Sequence, residues 1–364
     1  MRLTCVISSL EPGGSQKVMT FLAGEFVEQG AHVAVLSFED VSTAPFFPLP
    51  RAVEHHPLGL MGESFGFVDA VTNNLRRIRY LRAAIRESQP DVVLSFGDQA
   101  NILTILAAWR LGVSVVVAER CAPHLHTPAL WRLLRRFTYP LAQRIVVQTA
   151  EGARAFGYHP RVEVIPNPVP VPVTGKLPLD QQLKRPCVVG LGRFTLQKRF
   201  DLLIDAFAVA LKANPGWSLV LVGDGPERSN LERRIKDRGI VGNVRLLGYV
   251  KRPEDILSQA DLFVLCSDYE GFPNALCEAM ACGTAVISTD CPSGPDEIIR
   301  DSVDGLLVPP SNTAALSKAM ARLMSHAGER ARMGARAREV CVRFAPQRIL
   351  SQWHNALDSN HRNH

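Results

Sequence analysis

Two cations and two carboxylates in the second half of this 364-residue chain have the types and spacing to handle a charged, hydroxyl-bearing ligand. Arg193 and Lys198 lie five positions apart in GLGRFTLQKRFD, just after Gly192 and an apolar run. A flexible glycine followed by Arg and Lys can set two positive charges around a diphosphate, the Arg as a planar fork and the Lys as a point charge. A solvated loop after a strand has the same composition. Glu270 and Glu278, in EGFPNALCE, are separated by seven residues. Pro273-Asn274 marks a helix start, which leaves Glu270 in a loop and Glu278 about one turn inside the helix. Carboxylates accept hydrogen bonds from the vicinal hydroxyls of a ribose or a sugar. The backbone N–H groups between the two glutamates suit a phosphate. Two glutamates at one offset are common, so spacing alone is a weak signal.

A third feature lies near the amino terminus, where Gly13-Gly14 separates a strand from a helix. Without Cβ atoms that backbone can approach an anion at the helix start, although an ordinary tight turn reads the same way. No GxGxxG follows the first strand, and GLGRFT at 190–195 lacks the third glycine. The missing fingerprint argues against a nicotinamide dehydrogenase.

These residues need a scaffold, and the pattern supplies two. An apolar run at 3–8, the glycine turn, an amphipathic stretch ended by Gly30 and a strand at 31–38 open a parallel α/β sheet. Residues 91–96, 114–118 and 144–148 are further β-branched runs. The segment 166–186 holds six prolines in 21 positions, which prevents helix or central strand and makes it a semi-rigid linker. The pattern then restarts, with strands at 187–191, 218–222, 261–266, 284–288 and 305–308. Helices are expected at 201–211, 227–238 and 274–282, and three more at 313–325, 328–343 and 346–358. The expected fold class is α/β, with two Rossmann-like doubly wound parallel-sheet domains facing across a cleft. The domains are 1–167 and 187–345, joined by a linker at 168–186, with a helix and tail at 346–364 packing back on the first domain. Ligands bind beyond the carboxyl ends of strands in such sheets.

Composition narrows the class. With 46% hydrophobic and 21% charged residues the chain is neither disordered nor a disulfide scaffold. Eight cysteines with no CxxC pair, several inside apolar runs, read as reduced and suit a cytoplasmic protein. The short apolar start reads as a strand rather than a signal peptide, and Arg110 interrupts the most apolar stretch, 102–118. A soluble protein is expected. Between residues 70 and 145 there are 11 Arg against 4 acidic residues, an excess of +7 beside a net charge of +6 for the whole chain. An anionic partner is expected there.

Taken together, the glycine turn, the central Pro-rich linker, GR-xxxx-K, Gly223-Asp224-Gly225-Pro226 and the paired glutamates resemble the family 4 retaining glycosyltransferases of the GT-B fold. Ile165-Pro166-Asn167-Pro168, Leu247-Gly248-Tyr249-Val250 and Asp304-Gly305-Leu306-Leu307-Val308 extend the resemblance, which runs from Leu3 to Trp353. It implies that Arg193 and Lys198 hold the donor diphosphate and neutralise the leaving nucleotide. Glu278 would bind ribose hydroxyls and Glu270 the transferred sugar. Gly14, Gly192, Gly271, Phe272 and Asn274 would complete the donor site, with Tyr249 and Val250 over the base. Gly13, Ser15 and Arg120 would face the acceptor. Two departures stand out. The family's Gly-Gly-Ala-Glu is here Gly13-Gly14-Ser15-Gln16, and Arg120 stands where the family often has a histidine, with His124 and His126 close behind.

A basic stretch adds a separate clue. In TNNLRRIRYLRAAIRE, residues 72–87, Leu75, Ile78, Leu81 and Ile85 are expected on one buried helix face, with Arg79, Arg82 and Arg86 clustered beside it. A solvated basic face would look the same. The sharper reading is an acceptor strip for a lipid diphosphate, with WRLLRR at 131–136 as a basic-amphipathic contact to an anionic membrane surface. Within the family this pattern resembles enzymes that extend polyprenyl-diphosphate-linked glycans.

The expected activity is retaining transfer of a hexose or N-acetylhexosamine from a nucleotide-diphosphate sugar, UDP-linked, to a polyprenyl-diphosphate-linked saccharide. No cofactor and no metal are expected. Nor is a nucleic-acid partner: charge is nearly balanced outside 70–145, and no aromatic interleaving accompanies the basic residues. The protein would act as a monomer in the cytoplasm, peripherally bound to the inner face of the membrane. The rival enzyme reading is a nucleotide-sugar epimerase of the same fold.

Overall fold

The computed structural model describes residues 1–62, 66–120, 129–157, 159–177 and 182–358. The first part of the chain runs β1 (Arg2–Ile7), α1 (Gly14–Glu28), β2 (His32–Ser37), β3 (Glu54–Pro57), α2 (Phe67–Ser88) and β4 (Val92–Phe96). It continues with α3 (Asp98–Ala108), β5 (Ser114–Ala118), α4 (Ala129–Thr138), β6 (Arg144–Val147), α5 (Ala150–Arg154) and β7 (Val162–Val164). After the Pro-rich segment come β8 (Cys187–Leu191), α6 (Phe200–Leu211), β9 (Ser218–Val222), α7 (Arg228–Asp237), β10 (Val244–Gly248), α8 (Pro253–Leu257) and β11 (Leu262–Leu265). Then follow α9 (Asn274–Ala281), β12 (Val286–Thr289), α10 (Pro295–Ile298), β13 (Leu306–Val308), α11 (Thr313–Ser325), α12 (Ala327–Ala337), α13 (Val340–Arg343) and α14 (Pro346–Leu357).

The chain forms two compact units, Met1–Pro168 with α14, and Val169–Pro346. The first unit has a seven-stranded sheet in the order β3-β2-β1-β4-β5-β6-β7. All its pairings are parallel, with Leu3 opposite both Val33 and Val92. Central strands such as VVLSF (β4) and SVVVA (β5) are buried along their whole length, as a sheet covered on both faces requires. One core joins β1, β4 and α1 to Ile349, Leu350, Trp353, Ala356 and Leu357 of α14. Trp353 is fully buried, its ring 5.9 Å from that of Phe96. Burying a Leu or Ile side chain contributes roughly 1.5–3 kcal/mol, and this burial holds α14 on the unit.

The second unit has a six-stranded parallel sheet, β10-β9-β8-β11-β12-β13. Apolar residues of α6 and α11 pack on one face of it and those of α9 on the other. In both sheets the order reverses beside the first strand, between β1 and β4 and between β8 and β11. Those are the two points where a crevice opens beyond the strand ends.

Three strands escape a reading of the sequence. β3 is Glu-His-His-Pro and β7 only three residues, both at sheet edges, and β10 is half-buried with an interrupted register. None shows a long apolar run, because an edge strand needs burial on fewer sides. The helix expected at 328–343 is broken after Ala337 into α12 and α13. The Pro-rich segment stays irregular, yet it is not a free spacer. Val169 and Leu177 join the second core, the Val169 N–H donates to the Phe344 carbonyl at 2.9 Å, and Arg252 donates to the Val173 carbonyl at 2.6 Å. It is a strap bound to the second unit.

Candidate active site

The loops leaving β8 and β11 meet at the switch point of the second sheet. After β8 the chain passes Gly192 and Arg193, buries Phe194 against Phe200 (ring centroids 5.3 Å apart), and forms a 3-10 turn at Leu196–Lys198. The Phe194 N–H donates to the Asp224 carbonyl at 2.8 Å. That closeness depends on glycine: at Gly223, with φ +133°, a Cβ would lie 2.0 Å from the Gly192 carbonyl oxygen. GDGPER therefore serves first to let two backbones touch beneath Arg193. The Arg193 side chain itself is exposed, and no described residue pairs with it.

Lys198 does have a partner. Its Nζ lies 2.5 Å from Glu270 Oε1, and the two side chains are 21% and 7% exposed. Ser267 Oγ donates to the same oxygen at 2.6 Å. The two loops are further stapled by the Asp268 N–H donating to the Gln197 carbonyl (2.9 Å), Gln197 Nε2 to the Tyr269 carbonyl (2.8 Å) and Arg199 Nη1 to Asp268 Oδ1 (3.0 Å). Beyond Glu270, Gly271 leads to buried Phe272, packed edge-on against Phe344 at 5.4 Å. Asn274 then opens α9. This helix has no side-chain cap and no acidic residue in its first turn, which suits its positive end to an anion. Glu278 sits half-buried in its second turn. Tyr249 is exposed, its hydroxyl donating to the Asp224 carbonyl at 3.4 Å, while Val250 is half-buried against the core. The second unit thus brings Arg193, Lys198, Glu270, Gly192 and the start of α9 to one end of its sheet. Among the described residues no three His, Cys, Asp or Glu side chains cluster as a metal set.

In the first unit the matching switch point carries Gly13, Gly14 and Ser15 at the start of α1, again without a side-chain cap or first-turn acid. Arg120 follows β5 and is buried, its guanidinium 4.4 Å from the centre of the Phe96 ring and its Nη2 donating to Asn167 Oδ1 at 2.6 Å. Next to it Glu119 is buried too. It accepts from the Tyr139 hydroxyl and lies 3.9 Å from Arg135, while Asn101 donates to Tyr139 at 3.0 Å. Burial pushes the Glu119 carboxyl up to about 7, against the opposing pull of Arg135 and Tyr139. His124 and His126 lie outside the described residues.

The basic helix α2 departs from expectation at two residues, Leu75 and Arg82. Ile78, Leu81 and Ile85 face the core, but Leu75 is 56% exposed. Arg79 and Arg86 are exposed and pair with no described residue. Arg82 instead donates through Nη1 to the carbonyls of Ala107 (2.8 Å) and Trp109 (2.7 Å), closing the end of α3. The position of an arginine on a helix wheel does not show that a neighbouring helix ends beside it. On α4, Leu130, Leu133 and Phe137 are exposed, as are Arg132 and Arg136, while Arg135 turns inward over Phe156. No helix among the described residues is long and apolar enough to cross a membrane. The seven described cysteines are free thiols.

Sequence reasoning passes over Ser267, Gln197 and Glu119. Ser267 stands three positions before Glu270, close enough in the chain for a local side-chain contact, and that spacing was the available signal.

Residues 13–168 match the glycosyl transferase 4-like domain, and residues 178–340 match glycosyl transferases group 1. Over 359 residues the chain is 27% identical to a GalNAc-alpha-(1->4)-GalNAc-alpha-(1->3)-diNAcBac-PP-undecaprenol alpha-1,4-N-acetyl-D-galactosaminyltransferase of Campylobacter jejuni, with 97% of each chain covered. It is 30% identical to the lipopolysaccharide core biosynthesis glycosyltransferase LpsD of Rhizobium meliloti, over 76% of this chain and 78% of that one. Among solved structures, Anabaena Alr3699/HepE in complex with UDP and glucose superposes with a TM-score of 0.80 at 20% identity, covering 99% of this chain and 100% of that one. An epimerase of the same fold finds no support in these matches. The two domain matches, the two parallel sheets and the cationic switch-point loop agree: the chain belongs to the family 4-type glycosyltransferases of the GT-B fold.

Proposed function

We propose that this glycosyltransferase is a retaining, metal-independent enzyme that moves a hexose or N-acetylhexosamine from a UDP-linked donor to a polyprenyl-diphosphate-linked saccharide. The observation that carries the reading is the Lys198–Glu270 contact beside exposed Arg193 at the β8/β11 switch point. Arg193, Lys198 and the positive end of α9 form a cationic seat for a diphosphate, and Glu270 and Glu278 supply acceptors for sugar and ribose hydroxyls. The bond from the sugar's anomeric carbon to the diphosphate oxygen breaks, and the acceptor oxygen bonds to the same face of that carbon. The acceptor hydroxyl's proton passes to the departing diphosphate, whose charge Arg193 and Lys198 stabilise. The protein then needs no strong base of its own. A uridine donor is favoured by the UDP complex of the Anabaena structure, and a lipid-linked acceptor by the name of the Campylobacter relative.

Gly13, Ser15, Arg120, Arg79 and Arg86 are the first unit's acceptor residues in this reading. The exposed Leu130, Leu133 and Phe137 of α4, flanked by Arg132 and Arg136, fit the surface of an anionic bilayer. The enzyme would work there as a monomer on the cytoplasmic side. A screen of nucleotide sugars for donor hydrolysis by mass spectrometry, run in EDTA, followed by NMR of the product formed on a polyprenyl-diphosphate saccharide, tests the whole. An α-linked product from a UDP-sugar in EDTA is expected. A β-linked product, or activity only after magnesium or manganese is restored, overturns the mechanism.

A further inference from the structure

We infer that Ser267 is a positioning residue for sugar transfer, holding the Glu270 carboxylate in place when Lys198 turns from it to the donor diphosphate. The inference rests on the reading of Glu270 as the residue that binds the transferred sugar.

In the structure Glu270 Oε1 accepts twice, from Lys198 Nζ at 2.5 Å and from Ser267 Oγ at 2.6 Å. Both contacts fall on Oε1, and Oε2 is the oxygen assigned here to a ligand hydroxyl. The two donors differ in what they can do next. Lys198 ends a flexible stem and is partly exposed, so a diphosphate with its larger charge competes for it directly. Ser267 is fully buried, out of reach of bulk solvent. Its carbonyl accepts from Thr289 Oγ1 at 2.7 Å, which ties its backbone to the end of β12. The backbone of Glu270 is tied separately, its N–H donating to the Pro292 carbonyl at 3.2 Å. Once Lys198 has moved, Ser267 is the donor that remains on Oε1. A buried carboxylate stripped of both donors would swing after the lysine, which takes Oε2 away from the sugar.

The test is Ser267→Ala, alone and combined with Glu270→Ala. The donor is the nucleotide sugar that the hydrolysis screen selects, with UDP-N-acetylgalactosamine as the first probe, and UDP alone is the reference. Loss of one hydrogen bond to a charged group lowers binding or rate by about tenfold or somewhat more. Ser267→Ala should therefore lower kcat/KM about tenfold and bind UDP as the unaltered protein does. Calorimetry should show that Ser267→Ala reduces the extra affinity of the sugar donor over UDP, and that it removes nothing further once Glu270 is alanine. Undiminished kcat/KM, or an equal added loss on top of Glu270→Ala, overturns the inference. A Glu270→Ala protein that keeps full donor affinity and turnover overturns the underlying reading of Glu270 as well. A Glu270→Ala defect beside a normal Ser267→Ala protein overturns the serine's role alone.

Discussion

Lys198 and Glu270, 72 positions apart, share a 2.5 Å contact that joins the loops following β8 and β11. Each leaves its own strand where the sheet order reverses, so the contact lies where a ligand meets the strand ends. The lysine that would hold a diphosphate is thus poised on the carboxylate that would hold a sugar.

Removing either cation of the pair Arg193 and Lys198 should cost turnover heavily, since loss of one preorganised donor to a departing charge typically costs roughly 100-fold or more. Arg193→Ala and Lys198→Ala are expected to reach that loss with the fold intact, checked by thermal unfolding. Arg193 is exposed and Lys198 sits on a surface turn, so neither change opens a core cavity. Near-normal kcat/KM in both proteins would remove the diphosphate seat from this loop.

The two glutamates should separate by calorimetry with UDP alone. Glu278→Gln weakens UDP binding, because ribose is its partner. Glu270→Gln should not weaken it, and the released Lys198 should bind the diphosphate at least as well, while sugar transfer falls. A matching loss of UDP affinity in both variants contradicts this division.

On α2, the structure divides the arginines into two groups. Arg79→Glu and Arg86→Glu should raise the acceptor KM several-fold and leave the donor KM alone. The effect should shrink in high salt, because exposed charges are screened over about 8 Å at physiological ionic strength, and vanish with an acceptor lacking the diphosphate. Arg82→Ala should behave differently, costing about 1 kcal/mol of stability through the orphaned carbonyls of α3 with little change in acceptor KM. An unchanged acceptor KM in both glutamate variants would show α2 to be a solvated face.

Glu119 makes the first unit's stability depend on pH. Its carboxyl titrates at about 7 in the fold against an ordinary 4.5. Below the lower value both folded and unfolded chains hold the proton, and the neutral carboxyl's contribution is complete. As pH rises toward 7 the unfolded chain releases the proton first, so stability falls across that window, by up to about 3 kcal/mol. Glu119→Gln should flatten the fall and raise Tm at pH values above about 7. Parallel Tm profiles for the two proteins between those limits would show that Glu119 does not titrate as the burial requires.

Much of this was legible before folding was considered. Apolar runs, the glycine turn after β1, the restart after the prolines and the helix start at Pro273-Asn274 are local signals, carried by residues a few positions apart. They determined two parallel α/β units and pointed to Arg193, Lys198, Glu270 and Glu278. Contacts between distant segments were not legible, because they depend on strand order. Only the adjacency of β8 and β11 brings Lys198 to Glu270 and places Ser267 on the same oxygen. Only the end of α3 beside α2 turns Arg82 from a ligand candidate into a cap, and only the packing of α2 leaves Leu75 in solvent. The Pro-rich segment shows both levels. Its prolines forbid strand and helix from the sequence alone, but its attachment to the second unit comes from Arg252, Asp255 and Phe344, which lie about 80 positions or more away. Backbone groups that proline keeps out of regular structure still need partners once buried, and the tertiary fold decided which residues supply them.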